Sequence, residues 1–445
     1  MTKIKYALFF LLLSLSGLWF QADTLLPSPL TYGAFRNVFM QYSGVIAMGA
    51  MSVSMILALR PRWLEPHLDG LDKIYRLHKW LGITALVGSV LHWWLGQGTK
   101  WMTQWGWLTR HPKGPRPNPA DLGLIEGWLR TQRGIAESVG EWAFYVALLL
   151  MVLALVKRFP YHWFQKTHKW LAAAYLVFVY HSIVLTKFSY WTQPVGWVLA
   201  ILMAGGAFAA AQILLGRLGA GRKVAGTIES LRHYPELGVL ETRIALGDGW
   251  SGHMAGQFAF VTFDRSEGAH PYTIASAWHP GEKKITFLMK ALGDHTRQLG
   301  EKLKPGMAAM LEGPYGCFDF ADRQPRQIWI GAGIGITPFV ARMKQLATRP
   351  DGKMIDLFHS TAALDPVAIA RLKADAEAAG VRLHLIETPK DGRLSGERIR
   401  SLVPEWAAAS IWFCGPRDFA DSLRQNFVSR GLASVHFNHE LFEMR

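Results

Sequence analysis

Four histidines set into two apolar segments constrain this chain more than anything else in it. His78 and His92 lie 14 residues apart in DKIYRLHKWLGITALVGSVLHWWLG, and His168 and His181 lie 13 apart in QKTHKWLAAAYLVFVYHSIVLT. At about 1.5 Å of rise per helical residue each pair is separated by roughly 20 Å, which fits inside a hydrocarbon core about 30 Å thick. Two such helices side by side offer two stacked His–His pairs, and each pair suits one b-type haem gripped from both faces. His92 and His181 fall late in their apolar stretches, where an ionisable group is costly and marks function. His78 and His168 are each followed by Lys-Trp, so an interfacial border residue is the alternative for either alone. One detail resists a uniform helix. At about 100° per residue, 14 steps return to nearly the same face, but 13 steps miss it by roughly 140°. The second segment must tilt or wind irregularly, or the two haems are rotated against each other.

Residues 1–216 hold nearly all the long apolar runs of the 445-residue chain. Candidate spans are Tyr6–Phe20, Val38–Leu59, Leu71–Leu95, Trp142–Val156, Lys169–Leu185 and Val195–Leu215. Lysines and arginines cluster before the first span, between the second and third, between the fourth and fifth, and after the sixth. With six spans all four clusters share one side, which the positive-inside rule makes cytoplasmic. This orientation puts the N-terminus and everything after Leu218 on the cytoplasmic side of a bacterial inner membrane. His78 and His168 then form the cytoplasmic pair, and His92 and His181 the outer pair. The segment Gly96–Glu141 lies outside, with Trp101, Trp105, Trp107 and Trp128 as interfacial anchors and a proline-rich loop in its middle. Met1–Phe20 also reads as a cleavable signal peptide. His67, His111 and His162 read as solvated. The net charge of +15 is explained largely by positive-inside loops, and no nucleic-acid motif accompanies it. The two cysteines, Cys317 and Cys414, imply no disulfide framework or cysteine metal site.

Beyond the membrane segments, VAGTIESLRH, GVLETRIAL, GQFAFVTFD and KKITFLMKA alternate with turns and predict a small antiparallel barrel. From Arg326 strands alternate with helices, predicting a parallel sheet with crossover helices. The turn Gly331-Ala-Gly333-Ile-Gly335-Ile-Thr337-Pro338-Phe339 falls between a strand and a helix. Glycines there let backbone N–H groups approach a pyrophosphate at a helix N-terminus.

These features together resemble the NADPH oxidase and transmembrane ferric reductase superfamily, whose soluble half is a ferredoxin–NADP reductase module. The resemblance runs over nearly the whole chain in the same order. It implies a six-helix di-haem bundle (residues 1–218), an antiparallel β-barrel FAD domain (221–322) and an α/β NAD(P)H domain (325–445). His270-Pro271-Tyr272-Thr273-Ile274-Ala275-Ser276 resembles the family's flavin motif, with Tyr272 and Thr273 facing the isoalloxazine and ribityl portion of FAD. Lys290, Gly293 and Thr296 resemble the FAD pyrophosphate segment. Gly313-Pro314, the loop with Gly331, Gly333, Gly335, Thr337 and Pro338, and Cys414-Gly415-Pro416 resemble the nicotinamide-dinucleotide contacts. The resemblance sets Cys414 near the nicotinamide and Phe442 over the flavin. A plain core cysteine and a plain core phenylalanine are the bland alternatives.

Two departures matter. Oxidases tend to carry a further histidine a few residues after the outer ligand, whereas Trp93-Trp94-Leu95-Gly96 follows His92 here. Arg36, just before the second span, is the outer cation available to a haem propionate or an anionic product; a snorkelling border arginine is its alternative. NADPH usually calls for a basic residue after the second nucleotide-domain strand. Here His359-Ser360-Thr361 stands there, and Ser360 offers a hydroxyl, leaving NADPH or NADH as donor. The expected activity is electron transfer from cytoplasmic NAD(P)H through FAD and two b haems to a ferric chelate or to oxygen, giving superoxide. The rivals are a haem subunit serving a periplasmic partner enzyme and a membrane-anchored cytoplasmic flavin reductase.

Overall fold

The computed structural model describes residues 2–109, 122–156 and 158–440. His111 and Phe442 lie outside the described residues, as does the side chain of His162. The chain divides into two compact units. The first holds the helices up to Leu218; the second holds Gly219 onward together with the loop Trp63–Asp72.

The first unit contains α1 (Thr2–Ala22), α2 (Tyr32–Ala58), α3 (Leu71–Gln104), α4 (Leu124–Leu155), α5 (Tyr161–His168), α6 (Leu171–Leu185) and α7 (Pro194–Leu214). Among the described residues five helices are long and apolar enough to cross a membrane: α1, α2, α4, the α5–α6 pair and α7. The sixth expected span, on α3, is not among them. Its first turns carry Asp72, Lys73, Arg76, His78 and Lys79, so the uninterrupted apolar stretch only begins at Trp80. Local chemistry sets the ends. Thr31 caps α2 by accepting from the Ala34 N–H at 3.2 Å. Pro194 opens α7, where its missing N–H costs nothing. Inside the unit, Leu15 and Trp19 of α1 are buried, and Leu15 fills the space that a side chain at Gly49 of α2 would need.

The segment Gly96–Glu141 is helical on both sides of residues 110–121, and the proline-rich loop expected in its middle lies outside the described residues. α3 runs on to Gln104, and α4 starts at Leu124, well before the predicted Trp142. Glu126–Arg130 and Arg133–Glu137, each one turn apart, hold this polar first half of α4 in helix.

The second unit begins with a six-stranded antiparallel sheet. Its strands are β1 (Lys223–Tyr234), β2 (Val239–Leu246), β3 (Phe258–Thr262), β4 (His270–Thr273), β5 (Lys284–Lys290) and β6 (Ala308–Tyr315), with α8 (Asp294–Lys302) between the last two. The order is β4-β3-β6-β1-β2-β5, and the edges approach through one bridge, Ile274 to Phe287. Burial alternates along β1 and β5, and Ile228, Ile244, Ile285, Phe287 and Leu311 form the core.

A parallel five-stranded sheet follows, in the order β11-β10-β7-β8-β9. Its elements are β7 (Arg326–Ala332), α9 (Thr337–Thr348), β8 (Met354–Thr361), α10 (Pro366–Ala378), β9 (Arg382–Glu387), α11 (Thr388–Asp391), α12 (Gly396–Leu402), β10 (Ala409–Cys414), α13 (Arg417–Ser429) and β11 (Phe437–His439). All six residues of β10 are buried, as expected for a central strand covered on both faces. Asp365 caps α10 by accepting from the Ala368 N–H at 2.9 Å, with Pro366 next in line. The loop Trp63–Asp72 joins this unit through Glu65, whose buried carboxylate accepts the Gly316 N–H at 2.6 Å.

Candidate functional site

The four histidines form two pairs. The His78 and His168 rings lie 6.0 Å apart between centres at an interplanar angle of 65°. The His92 and His181 rings lie 6.2 Å apart at 73°. One metal ion held between two imidazoles separates ring centres by about 6.2–6.4 Å, taking metal–nitrogen bonds of about 2.0–2.1 Å and about 1.1 Å from each nitrogen to its ring centre. The outer pair falls within that spacing and the inner pair 0.2 Å short of it.

The 13-residue interval is accommodated by a break between α5 and α6. There Trp170 N–H donates to Thr167 O, Ala172 N–H to Lys169 O and Ala173 N–H to Trp170 O, each three residues back, at 3.0–3.1 Å. Three-residue turns advance about 120° per residue rather than 100°. The tighter winding supplies part of the rotation that a uniform helix lacks.

Three of the four rings are oriented through Nδ1. His78 Nδ1–H donates to Ser54 O at 2.9 Å, His92 to Met40 O at 3.0 Å and His181 to Ala136 O at 2.8 Å. This fixes the tautomer that leaves Nε2 as the ligand nitrogen, the usual arrangement of metal-binding histidines. Among the described residues no hydrogen bond of these rings uses Nε2, and the buried Nδ1 of His168 has no partner. Gly140, one turn beyond Ala136, makes room for His181: a Cβ there would run into the imidazole ring. Arg36 lies near the outer pair but is tied down, donating through Nε to Leu95 O at 2.9 Å and through Nη1 to Asn37 Oδ1 at 3.0 Å. His67 is exposed, as expected.

In the second unit the strand order reverses between β7 and β10, and nucleotides bind outside the carboxyl ends of strands at such a switch point. The two predicted loops meet there. Gly331 and Cys414 pair in register, and a side chain at Gly335 would collide with Cys414 O. Gly333 has φ +57°, a left-handed conformation that glycine adopts without strain. Thr337 is not free for a ligand: its hydroxyl donates to Ile334 O at 2.7 Å, and Pro338 beside it is buried in the first turn of α9. Cys414 is fully buried, and burial, reinforced by the Glu440 carboxylate, holds its thiol pKa well above the usual value. Gly415 and Pro416 form the turn into α13.

An open cleft of about 870 Å³ lies between the outward faces of β2 and β5 and helices α9 and α10. Lys290, Gly333, His359, Thr361, Lys344 and Arg371 line it. The resemblance assigned Lys290 to the flavin diphosphate; the structure sets its ammonium 3.7 Å from the point where a Gly333 Cβ would stand, against the glycine turn. Arg371 pairs with Glu241 Oε2 at 2.8 Å, which also accepts from Tyr234 OH at 2.9 Å. Burial lowers the pKa of the Lys344 ammonium, whose Nζ donates to Ala275 O at 3.4 Å.

The flavin-motif residues stay together on β4 and the turn after it. Thr273 pairs with Phe258, Pro271 with Phe260, and His270 with Val261. Tyr272 has a buried hydroxyl with no partner among the described residues, and burial raises its pKa. Ser276 is structural on one side, its Oγ accepting the Thr286 N–H at 3.1 Å. Thr296 closes its own helix end, accepting from the N–H groups of Leu292 and Gly293 at 2.9 and 3.0 Å. Gly313 and Pro314 lie within β6, and Ser360 Oγ faces Thr388 Oγ1 at 3.4 Å.

The sequence did not single out Glu241, Lys344, Arg371 or His253. His253 Nε2–H donates to Ser276 O at 3.0 Å, and burial depresses its pKa to about 4. Each has a partner at least 23 residues away along the chain, which no local spacing announces.

Residues 43–179 match the family described as ferric reductase like transmembrane component, and residues 238–319 match the FAD-binding domain family. An NADPH oxidoreductase of Mycobacterium tuberculosis is 31% identical over 181 residues, covering 39% of this chain and 47% of that protein. The ferredoxin–NAD(+) reductase component of the Xanthobacter autotrophicus alkene monooxygenase system is 25% identical, covering 43% and 64%. A flavohemoprotein of Pseudomonas aeruginosa is 23% identical, covering 41% and 48%. The chain thus spans about half the length of the curated relatives it matches. Five long apolar helices and the first match make it a membrane protein. A ferric-reductase-like transmembrane domain followed by a ferredoxin-reductase-like FAD module gives this chain the architecture of the NADPH oxidase and transmembrane ferric reductase superfamily.

Proposed function

We propose that this chain is a transmembrane oxidoreductase carrying electrons from NAD(P)H on the cytoplasmic side of a bacterial inner membrane, through FAD and two b-type haems, to an acceptor on the outer side. The observation that carries the proposal is the two His–His pairs at 6.0 and 6.2 Å, three of the four rings fixed through Nδ1 with Nε2 left for a ligand. Bound in their sites, the flavin would split a hydride's electron pair and the haems would take single electrons.

The chain's own residues do the rest. α3 serves as the sixth span, so that His78 and His168 hold the inner position and His92 and His181 the outer. Two imidazoles at each position would hold a haem with no coordination site left for an acceptor, which would be met at the outer surface. Arg36 keeps a cation there. At the switch point the glycine turn and Lys290 receive the donor's diphosphate, while Thr273 and Tyr272 face the flavin. Cys414, held protonated by burial, packs beside the nicotinamide without charge.

A ferric chelate is the acceptor we favour over oxygen, because Trp93-Trp94-Leu95-Gly96, with no histidine, directly follows His92. The test is a reduced-minus-oxidised spectrum of detergent-purified protein, repeated with NADPH under nitrogen before ferric citrate or air is admitted. Two b haems per chain, reduced by NADPH and reoxidised faster by ferric citrate, are expected. Flavin reduction without haem absorbance would leave an anchored flavin reductase. Haem that is reduced but reoxidised by neither acceptor would point to a periplasmic partner.

A further inference from the structure

The two imidazole pairs are not equivalent. In the outer pair both rings donate from Nδ1 to a backbone carbonyl, His92 to Met40 O and His181 to Ala136 O. In the inner pair only His78 does so, to Ser54 O. The Nδ1 of His168 is buried and has no partner among the described residues. His168 is oriented instead by stacking on Phe164, four residues back in α5, at 4.9 Å and 29°. The difference follows from position: His168 is the last residue of α5, whereas His181 faces the α4 backbone where Gly140 lets it approach.

A hydrogen bond from Nδ1–H gives an imidazole more anionic character and makes it the stronger donor to a metal. Stronger donation favours the oxidised metal and lowers its midpoint potential, since hydrogen bonding around the axial ligands is one of the protein's levers on haem. We infer that the hydrogen bonds behind the imidazoles tune the two positions apart. The outer pair sets the lower midpoint, and the inner pair, with one ring lacking its acceptor, sets the higher. Arg36 at the outer end works in the opposite sense and narrows the gap. The consequence is that the inner position fills first when reducing equivalents are scarce. His168 acts here as a tuning ligand, and Phe164 as the residue that positions it.

This inference rests on the haem assignment proposed above, and its test separates the two. The full-length holoprotein is titrated anaerobically by optical potentiometry. Two resolved midpoints are expected in the unaltered protein. His78→Ala, which leaves only the outer position, should keep the lower one, and His92→Ala the higher. Phe164→Gln places a carbonyl oxygen one turn from His168 and should shift the higher midpoint downward while the lower one stays. Should the histidine variants fail to load, the Phe164→Gln titration decides alone. Coincident midpoints, a reversed order in the single-position variants, or an unmoved upper midpoint in Phe164→Gln would overturn the inference while leaving two haems in place. Absence of haem from the unaltered protein would overturn the assignment itself.

Discussion

In the membrane unit the candidate sites consist of four side chains of one type, each aimed by one or two contacts. In the soluble unit the candidate cleft is built from strand ends, a glycine turn and charged groups drawn from six or more separate elements. The contrast follows from solvent. Inside lipid every backbone polar group is already committed to its helix, so only side chains remain to hold a cofactor. At the carboxyl edge of a parallel sheet the backbone N–H groups are uncommitted, and a dinucleotide is received largely by main chain. Substitutions should therefore act all-or-none in the first unit and by degrees in the second.

The largest effects are expected at the histidines. Alanine at His78 or His168 should remove one of two haems, and alanine at His92 or His181 the other. Haem-to-protein ratio by the pyridine haemochrome assay checks this; equal loss of both haems from a single substitution would show that the pairs are not independent. Next comes Gly140→Val, whose side chain would occupy the His181 ring position. It should empty the outer site as thoroughly as His181→Ala. Gly44→Ala should be tolerated, because its Cβ would meet the His92 ring at 3.6 Å, an ordinary contact.

In the soluble unit Gly335→Ala should be the severest change, since its Cβ would drive into Cys414 O where the two loops meet. NADPH-dependent flavin reduction should fall by more than about tenfold, equivalent to about 1.4 kcal/mol, with flavin content retained. Lys290→Ala should raise the KM for NADPH by about tenfold and move kcat less, as expected for lost ground-state binding. Smallest of all, Arg371→Met should cost about 1 kcal/mol of stability in the soluble unit. It removes one partly exposed ion pair, Arg371–Glu241, and one hydrogen bond to Tyr234. A thermal melt followed by flavin fluorescence measures it; a loss above about 3 kcal/mol would mean that the pair behaves as a buried one.

The same contrast explains what could be read in advance. Spacing marked two histidines on each helix, and six spans with positive-inside orientation paired His78 with His168 and His92 with His181, because helical rise is fixed and histidine is conspicuous in an apolar run. It also flagged the 13-residue misfit, though not that the winding tightens just after His168. The early start of α4 was hidden because Glu126, Arg130, Arg133 and Glu137 look like solvated loop residues until their one-turn pairing is seen. In the soluble unit, strand alternation and the glycine turn were legible, but the cleft's charged lining was not. Glu241 and Arg371 stand 130 residues apart and meet only once the fold is made. Thr296 adds a local role that the motif did not announce: its hydroxyl also accepts the N–H groups of Leu292 and Gly293 at the start of its own helix.

The most direct test of the central claim is the haem-to-flavin ratio of the purified full-length protein, with the spectrum recorded after adding NADPH under nitrogen. Two b-type haems per FAD, both reduced by NADPH and each lost with its own histidine pair, are predicted. A flavoprotein that NADPH reduces but that carries no haem, and whose spectrum is indifferent to all four histidines, would contradict the account.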